Sequence, residues 1–227
     1  MSTTPFSAVF SALTDYLQAA VHSILFHRGL YPAHLFTDAQ QWGVPVKASR
    51  SPAVNAYLQS VLNALGTPLS KGMLESVYLL VFDPSAPQVP EERYVFRVRY
   101  PHDVLQELSK SAGRGMIVPA AMSVVEAQFA SALQVLVAKL PLLKRPAHES
   151  ERTYRIAVDI TDTVLRDQAS WPSARFPLGQ EWVTAAPELP DAELARETHN
   201  VILTSVKSVS MPLFEVETVI ERFVVDT

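Results

Sequence analysis

Residues 76–82 (SVYLLVF) are apolar on both alternating faces, the composition of a strand covered on both sides. Such a strand sits inside a sheet, so it needs neighbours beside it and other elements over it. The chain offers both. Residues 93–99 alternate, with Tyr94, Phe96 and Val98 on one face and Arg93, Arg97 and Arg99 on the other, which predicts a strand with one wet face. Tyr154, Ile156, Val158 and Ile160 alternate in the same way, and residues 201–209 and 213–225 read as a terminal hairpin around Met211 and Pro212. Helical spacing covers three further stretches. In residues 6–30, Phe6, Val9, Phe10, Leu13, Leu17, Val21, Ile24 and Leu25 recur by threes and fours, predicting an amphipathic helix that Gly29 and Tyr31-Pro32 end. After a short extended stretch, Ser51 and Pro52 open a second helix to about Leu65, serine as N-cap and proline at the first helical position, with Val54, Leu58, Val61, Leu62 and Leu65 inward. Residues 117–143 are apolar nearly all round and predict a helix running through the core. The fold class is α+β. With 227 residues, 48% of them apolar and no break in composition, one domain is expected.

Composition removes several kinds of chemistry. The chain has no cysteine, which excludes disulfides, thiolate metal sites and cysteine nucleophiles and suits a reducing compartment. Its net charge of -4 has the wrong sign for a protein that grips phosphates through a broad surface, so no direct nucleic-acid binding is expected. No run reaches the eighteen or so apolar residues of a membrane span, and the start (MSTTPFSAVF) lacks the basic flank of a signal peptide. A soluble intracellular protein without a membrane partner is therefore expected. None of His22, His27, His34, His102, His148 and His199 pairs at helical i, i+4 spacing, so no metal or other cofactor is expected. Gly113-Arg114-Gly115 reads as a loop before the long helix, and there is no Walker A, G-x-S-x-G or H-E-x-x-H sequence. The acidic pairs Glu91-Glu92 and Glu149/Glu151 read as solvated charge beside arginines. The catalytic inventory is empty.

One stretch is left over. Between residues 161 and 200 lie Pro172, Pro177, Pro187 and Pro190 with Trp171, Phe176 and Trp182 and little periodicity. Loops beyond ~15 residues are usually functional or disordered, and large rings have no use in a solvated linker. This segment is expected to pack over something, and rigid aromatics of that kind anchor partners at small entropic cost.

The stretch 17–65 (LQAAVHSILFHRGLYPAHLFTDAQQWGVPVKASRSPAVNAYLQSVLNAL) resembles the HORMA domain, and within it the accessory, non-catalytic subunits of translesion DNA polymerase zeta. The residues that carry the likeness are the A-V-H-x-I-L helix end, Tyr31-Pro32-x-x-Leu35-Phe36, Val44-Pro45-Val46, and Pro52 followed by Asn55-x-Tyr57. Looser likeness continues through 76–83, 93–98, Val125-Glu126 and Glu181-Trp182-Val183. The resemblance implies a three-helix core on a mostly antiparallel sheet, the core over about 6–160, and a C-terminal safety belt with a hairpin over about 161–225. It also implies that the belt closes on a proline-containing peptide of the polymerase zeta catalytic subunit, added to a sheet edge. By position, Tyr57 matches the helix tyrosine that faces the peptide, and Trp182 the belt tryptophan that covers it; Tyr31 and Ala33 match further peptide-side positions. Read from the residues alone, Tyr57 could equally be a core aromatic and Trp182 a ring packed on the domain. Leu203 and Glu217 match the surface that docks the C-terminal domain of the scaffold polymerase. Where relatives carry an arginine that supports dimerisation through the long helix, this chain has Ala130, which removes a bidentate fork; self-association there is not expected. The implied role is a nuclear adaptor with no catalysis of its own. The alternatives are spindle-checkpoint or meiotic chromosome-axis adaptors of the same family, or a small-molecule enzyme with a scattered site.

Overall fold

The computed structural model describes residues 3–85, 89–111, 113–144, 152–161 and 200–224. A two-residue strand, β1 (Thr4–Pro5), leads into helix α1 (Phe6–His27). The apolar spacing does its expected work: Phe6, Val9, Leu13, Leu17, Val21, Ile24 and Leu25 are all buried. Gly29 ends the helix at φ 65°. Its N–H donates to the Phe26 carbonyl and that of Leu30 to the Leu25 carbonyl, both at 3.0 Å, so two otherwise unpaired carbonyls are satisfied by a left-handed glycine.

The stretch expected to be merely extended is a hairpin, β2 (Phe36–Gln41) against β3 (Val44–Ser49). Its two turn residues, Trp42 and Gly43, have φ of 50° and 78°, the backbone of a tight hairpin turn. Helix α2 (Pro52–Ala64) starts at its proline as predicted, and Val54, Leu58, Val61, Leu62 and Leu65 are buried. Ser51 does not cap it with its hydroxyl. The local work falls to Ser49, whose Oγ accepts the Ser51 N–H at 3.1 Å and whose carbonyl accepts from Asn55 Nδ2 at 3.1 Å.

A short helix, α3 (Gly66–Ser70), precedes β4 (Leu74–Phe82), which pairs with β5 (Glu92–Arg99). Helix α4 (His102–Ser111) was not foreseen. The long helical pattern does not begin at residue 117: Ile117 and Val118 form β6 (Ile117–Val118), which pairs with β1 and pins the chain's start. Helix α5 (Met122–Lys139) follows and tightens into a 3-10 turn at Leu140–Leu142. By length and a mean hydropathy of 1.2, Met122–Leu142 is apolar enough to cross a membrane, which corrects the expectation that no run reaches that length. Here it is a core helix, with Val125, Phe129, Leu133 and Leu136 buried. Strands β7 (Thr153–Ile160), β8 (Asn200–Ser210) and β9 (Glu215–Val224) complete a five-stranded antiparallel sheet in the order β7-β4-β5-β9-β8. β4 is thus interior, as its composition demanded, and the terminal hairpin lies on the β5 side.

Helices α1, α2 and α5 cover one sheet face. Tyr16 shows how the layers lock. Its ring is fully buried, stacks 5.3 Å from Phe129 of α5, meets Phe96 of β5 edge-on at 5.9 Å, and its hydroxyl bonds Thr218 of β9 at 2.8 Å. One side chain from α1 therefore touches the other helix and two strands, with its polar tip satisfied, as a buried tyrosine requires.

The face of β5 turned away from the helices is wet only at its far end, where the Arg97 and Arg99 side chains are 36% and 53% exposed. Arg93 is 7% exposed and donates through Nε to Glu221 of β9 at 2.5 Å, while Val95 on that face is 1% exposed. Nor is Glu92 solvated. It is 2% exposed and forms a two-pronged ion pair with Arg28, which is 1% exposed, Arg28 Nε reaching Glu92 Oε2 at 2.8 Å. Tyr94 donates to the same carboxylate at 2.8 Å, and two further Arg28 protons go to the carbonyls of Leu143 and Lys144 at 3.3 and 3.1 Å. Removing one partner of such a pair leaves an uncompensated buried charge, costing about 3–5 kcal/mol, whereas replacing both by apolar groups is often neutral. Arg28→Ala should accordingly lower the unfolding free energy in urea by about that much, and Arg28→Met with Glu92→Leu should lower it far less. Equal losses would show that the pair is not a buried unit.

His22 is buried on α1 and among the described residues its Nε2 has no hydrogen-bond partner. Burial holds its pKa below the ordinary histidine value of 6.5, so the unfolded chain takes up the proton first. Its contribution to stability is present above about pH 6.5 and is lost as pH falls below it. Urea midpoints measured across pH 7.5 to 5 should drop for the native chain more than for His22→Leu; parallel curves would assign the pH dependence elsewhere.

Candidate functional site

β7 is an edge strand. It pairs with β4 on one side, in register from Tyr154 opposite Val81 to Val158 opposite Val77, and among the described residues no strand lies along its other side. Alternation puts Tyr154, Ile156 and Val158 on the helix face and Arg155, Ala157 and Asp159 on the other. The helix-facing rim is aromatic. Tyr154 lies 6.2 Å between ring centroids from Tyr31, in the turn after α1, and 6.2 Å from Tyr57 on α2, both edge-on. The local sequence explains the convergence. Pro32 and the 3-10 turn Ala33–Leu35 swing the chain out of α1 at Tyr31, and α2 buries Val54, Leu58 and Val61 but leaves Tyr57 43% exposed. Burial raises the Tyr57 phenol above its ordinary pKa, partly opposed by a hydrogen bond with the Ile156 backbone. Burial also raises that of Tyr154, as does its hydrogen bond with Tyr31. The Tyr57 and Tyr154 phenols are therefore neutral at physiological pH. What they offer is flat apolar surface with hydroxyl tips beside a free strand edge, suited to an extended chain and its proline or aliphatic side chains.

Tyr31 and Tyr57, singled out from the sequence, are thus brought together. Ala33 is exposed in the 3-10 turn beside them. Trp182 lies outside the described residues, as do Trp171, Phe176 and the belt assignment. Tyr154 was missed as a site residue. Its alternation was visible, but only the tertiary placement of β7 under α2 turns it from a strand residue into the middle of a cluster.

Leu203 and Glu217 sit on the terminal hairpin, on the sheet face away from the helices. Leu203 is 63% exposed and opposite Glu221. Glu217 lies four residues from that position, roughly 13 Å along the strand, and accepts from Arg97 at 2.6 Å and Arg99 at 2.9 Å. They share a face without touching. Ala130 is half-buried against the core on α5.

A cleft of about 500 Å³ opens at the end of the same face, lined among others by Glu75, Tyr78, Arg97, Arg99, Tyr100 and Asp159. Its polar groups are largely consumed by one another: the arginines by Glu217, and the Tyr78 phenol by Asp159. Burial and that carboxylate push Tyr78 up to about 12. Among the described residues no histidine lines the cleft and no cluster of metal-ligating side chains occurs.

Comparison with known proteins bears on the family and the fold. The profile of the HORMA domain matches residues 10–163. The chain is 34% identical over 93 residues to the mitotic spindle assembly checkpoint protein MAD2B of Gallus gallus, covering 41% of this chain and 43% of that protein. It is 30% identical over 86 residues to the DNA polymerase zeta processivity subunit of Arabidopsis thaliana, covering 38% and 39% respectively. The match thus spans less than half the length of either relative. Among solved structures, C. elegans HTP-2 bound to the HIM-3 closure motif superposes with a TM-score of 0.64 over 93% of this chain and 89% of that one, at 13% identity.

Ring contacts of this kind are worth about 0.5–1.5 kcal/mol beyond area burial. A double-mutant cycle with Tyr57→Ala and Tyr154→Ala, read by urea unfolding, should return a coupling of about 0.5–1 kcal/mol. Additive losses would mean that the rings stand independently.

Proposed function

Since the chain belongs to the HORMA domain family, we propose that it is a non-catalytic adaptor that holds an extended peptide along β7. The carrying observation is the β7 edge, unpaired among the described residues and rimmed by Tyr31, Tyr57 and Tyr154, with the terminal hairpin on the opposite side of the sheet. An incoming strand gains main-chain hydrogen bonds along the edge, and the tyrosines select its side chains. The whole of 1–227 forms one HORMA domain, in which the segment after β7 closes over the peptide and Trp182 covers it. A closed chain must reopen before the peptide leaves, so affinity resides in slow dissociation.

The more specific reading is the accessory subunit of translesion DNA polymerase zeta. The Arabidopsis relative bears the name of that polymerase's processivity subunit, and the stretch from Tyr31 to Tyr57 carries the likeness. The peptide is then a proline-containing segment of the catalytic subunit. Leu203 and Glu217 face the C-terminal domain of the scaffold polymerase, and the site of action is the nucleus. With a net charge of -4, the protein meets DNA through these partners. A second reading, spindle-checkpoint signalling, follows the name of the chicken relative; it keeps the edge and changes the peptide.

The test is a labelled proline-containing peptide from the polymerase zeta catalytic subunit, followed by stopped-flow and chase experiments. It should bind and leave slowly, Tyr57→Ala should weaken it about tenfold or more, and Trp182→Ala should speed its release. Absence of binding would remove the polymerase reading, and unchanged release would remove the role given to Trp182.

A further inference from the structure

The face of β7 away from the tyrosines carries a feature that no relative's name accounts for. Arg155 and Asp159 are both exposed and lie four residues apart on the unpaired edge strand, on one face, with the small Ala157 between them. At about 3.3 Å per residue they are roughly 13 Å apart. Each is oriented by an aromatic side chain of β4. The Arg155 guanidinium lies over the Phe82 ring, 5.1 Å from its centroid, and the Asp159 carboxylate accepts the Tyr78 hydroxyl. Neither is consumed by an opposite charge among the described residues. The β4 edge of the strand is filled, so the next chain these two charges meet is one laid along the free side.

We propose that this edge reads charge as well as shape: it takes a strand carrying opposite charges four residues apart, acidic opposite Arg155 and basic opposite Asp159. The proposal rests on the peptide-docking reading above and adds a rule for register. Positions of the incoming strand that face Tyr154, Ile156 and Val158 are apolar or proline. The alternate positions are charged at the two ends and small opposite Ala157. Because side chains alternate with period two, a slip of one residue puts charges against tyrosines and apolar groups against Arg155 and Asp159. A slip of two leaves both charges unmatched. The tyrosine rim alone tolerates sliding by two residues, whereas the pair of charges does not. Main-chain pairing and the tyrosine rim set one strand direction, and the order of the charges must match it. A parallel strand meets Arg155 first and carries its acidic residue first; an antiparallel one carries its basic residue first.

The test uses two fluorescein-labelled peptides of about 13 residues with the same composition. Both have valine or proline at alternate positions, and they differ only in exchanging a lysine and a glutamate four residues apart among the others. Equilibrium anisotropy of the native chain should favour one order by roughly five- to tenfold, the sum of two favourable cross-strand pairs against two like-charge pairs, and the preference should shrink as salt is raised. The double variant Arg155→Glu with Asp159→Arg keeps the net charge and should favour the other order. Equal binding of the two peptides by the native chain would overturn the proposal while leaving the docking edge standing, the two charges then serving only to keep the edge from aggregating. The same preference in native and double-variant proteins would also overturn it. Binding of neither peptide would remove edge docking itself.

Discussion

The Arg28–Glu92 pair sets the geometry on which the rest depends. Arg28 is the C-cap of α1, and its guanidinium is shared between a carboxylate on β5 and the carbonyls that follow α5. Its own carbonyl accepts from Arg152, just ahead of β7. The end of the first helix, an interior strand, the exit of the long helix and the entry to the edge strand therefore meet at one buried charge pair. Buried ion pairs add little net stability compared with packed apolar side chains. What this one supplies is direction, because a planar fork satisfied by a carboxylate and two carbonyls tolerates little rotation. The turn carrying Tyr31 begins three residues after it, so the placement of the tyrosine rim is inherited from this junction.

The sheet gives the candidate site its asymmetry. With the terminal hairpin paired to β5 through β9, the sheet among the described residues ends in β8 on one side and in β7 on the other. An edge with free main-chain groups is a hazard that proteins usually blunt with charge or cover. Here both devices touch β7, since the Tyr57 hydroxyl reaches the Ile156 backbone from the helix side and Arg155 and Asp159 stand on the opposite face. Protection of this kind also pre-arranges what an incoming strand would meet. An aromatic rim on one face and oriented charges on the other give it a two-sided description.

Much of this architecture was legible in the residues. Three-and-four spacing fixed α1 and the inner face of α2, and the doubly apolar 76–82 stretch correctly demanded an interior strand. Misreadings arose where one-dimensional patterns have several three-dimensional solutions. Glu92 and Arg93 look like ordinary surface charge, because a sequence does not say that Arg28 and Glu221, 64 and 128 residues away, will meet them inside. Ile117 and Val118 extend the apolar pattern of α5 yet are used as a strand, because pairing with Thr4 and Pro5 satisfies backbone groups that a longer helix could not bring to the N-terminus. At the site, the Y-P turn and the tyrosine of α2 were visible individually. Their meeting at Tyr154 was not, since it is created by the order of strands.

Trp42 carries a further consequence. A non-glycine residue at φ 50° works against the handedness of L-amino acids, at about 1–2 kcal/mol, yet the position holds the bulkiest side chain in the repertoire. Its indole stacks on Phe129 at 6.0 Å and 22°, and burial of a large ring outweighs that penalty. Backbone and side chain thus prefer opposite enantiomers at one position: a D-residue would relax the turn, and only the L-residue as found reaches the stack. With Trp171 and Trp182 replaced by phenylalanine, the same indole is an optical probe built into the joint between the β2–β3 hairpin and α5, its emission reporting whether that hairpin is seated.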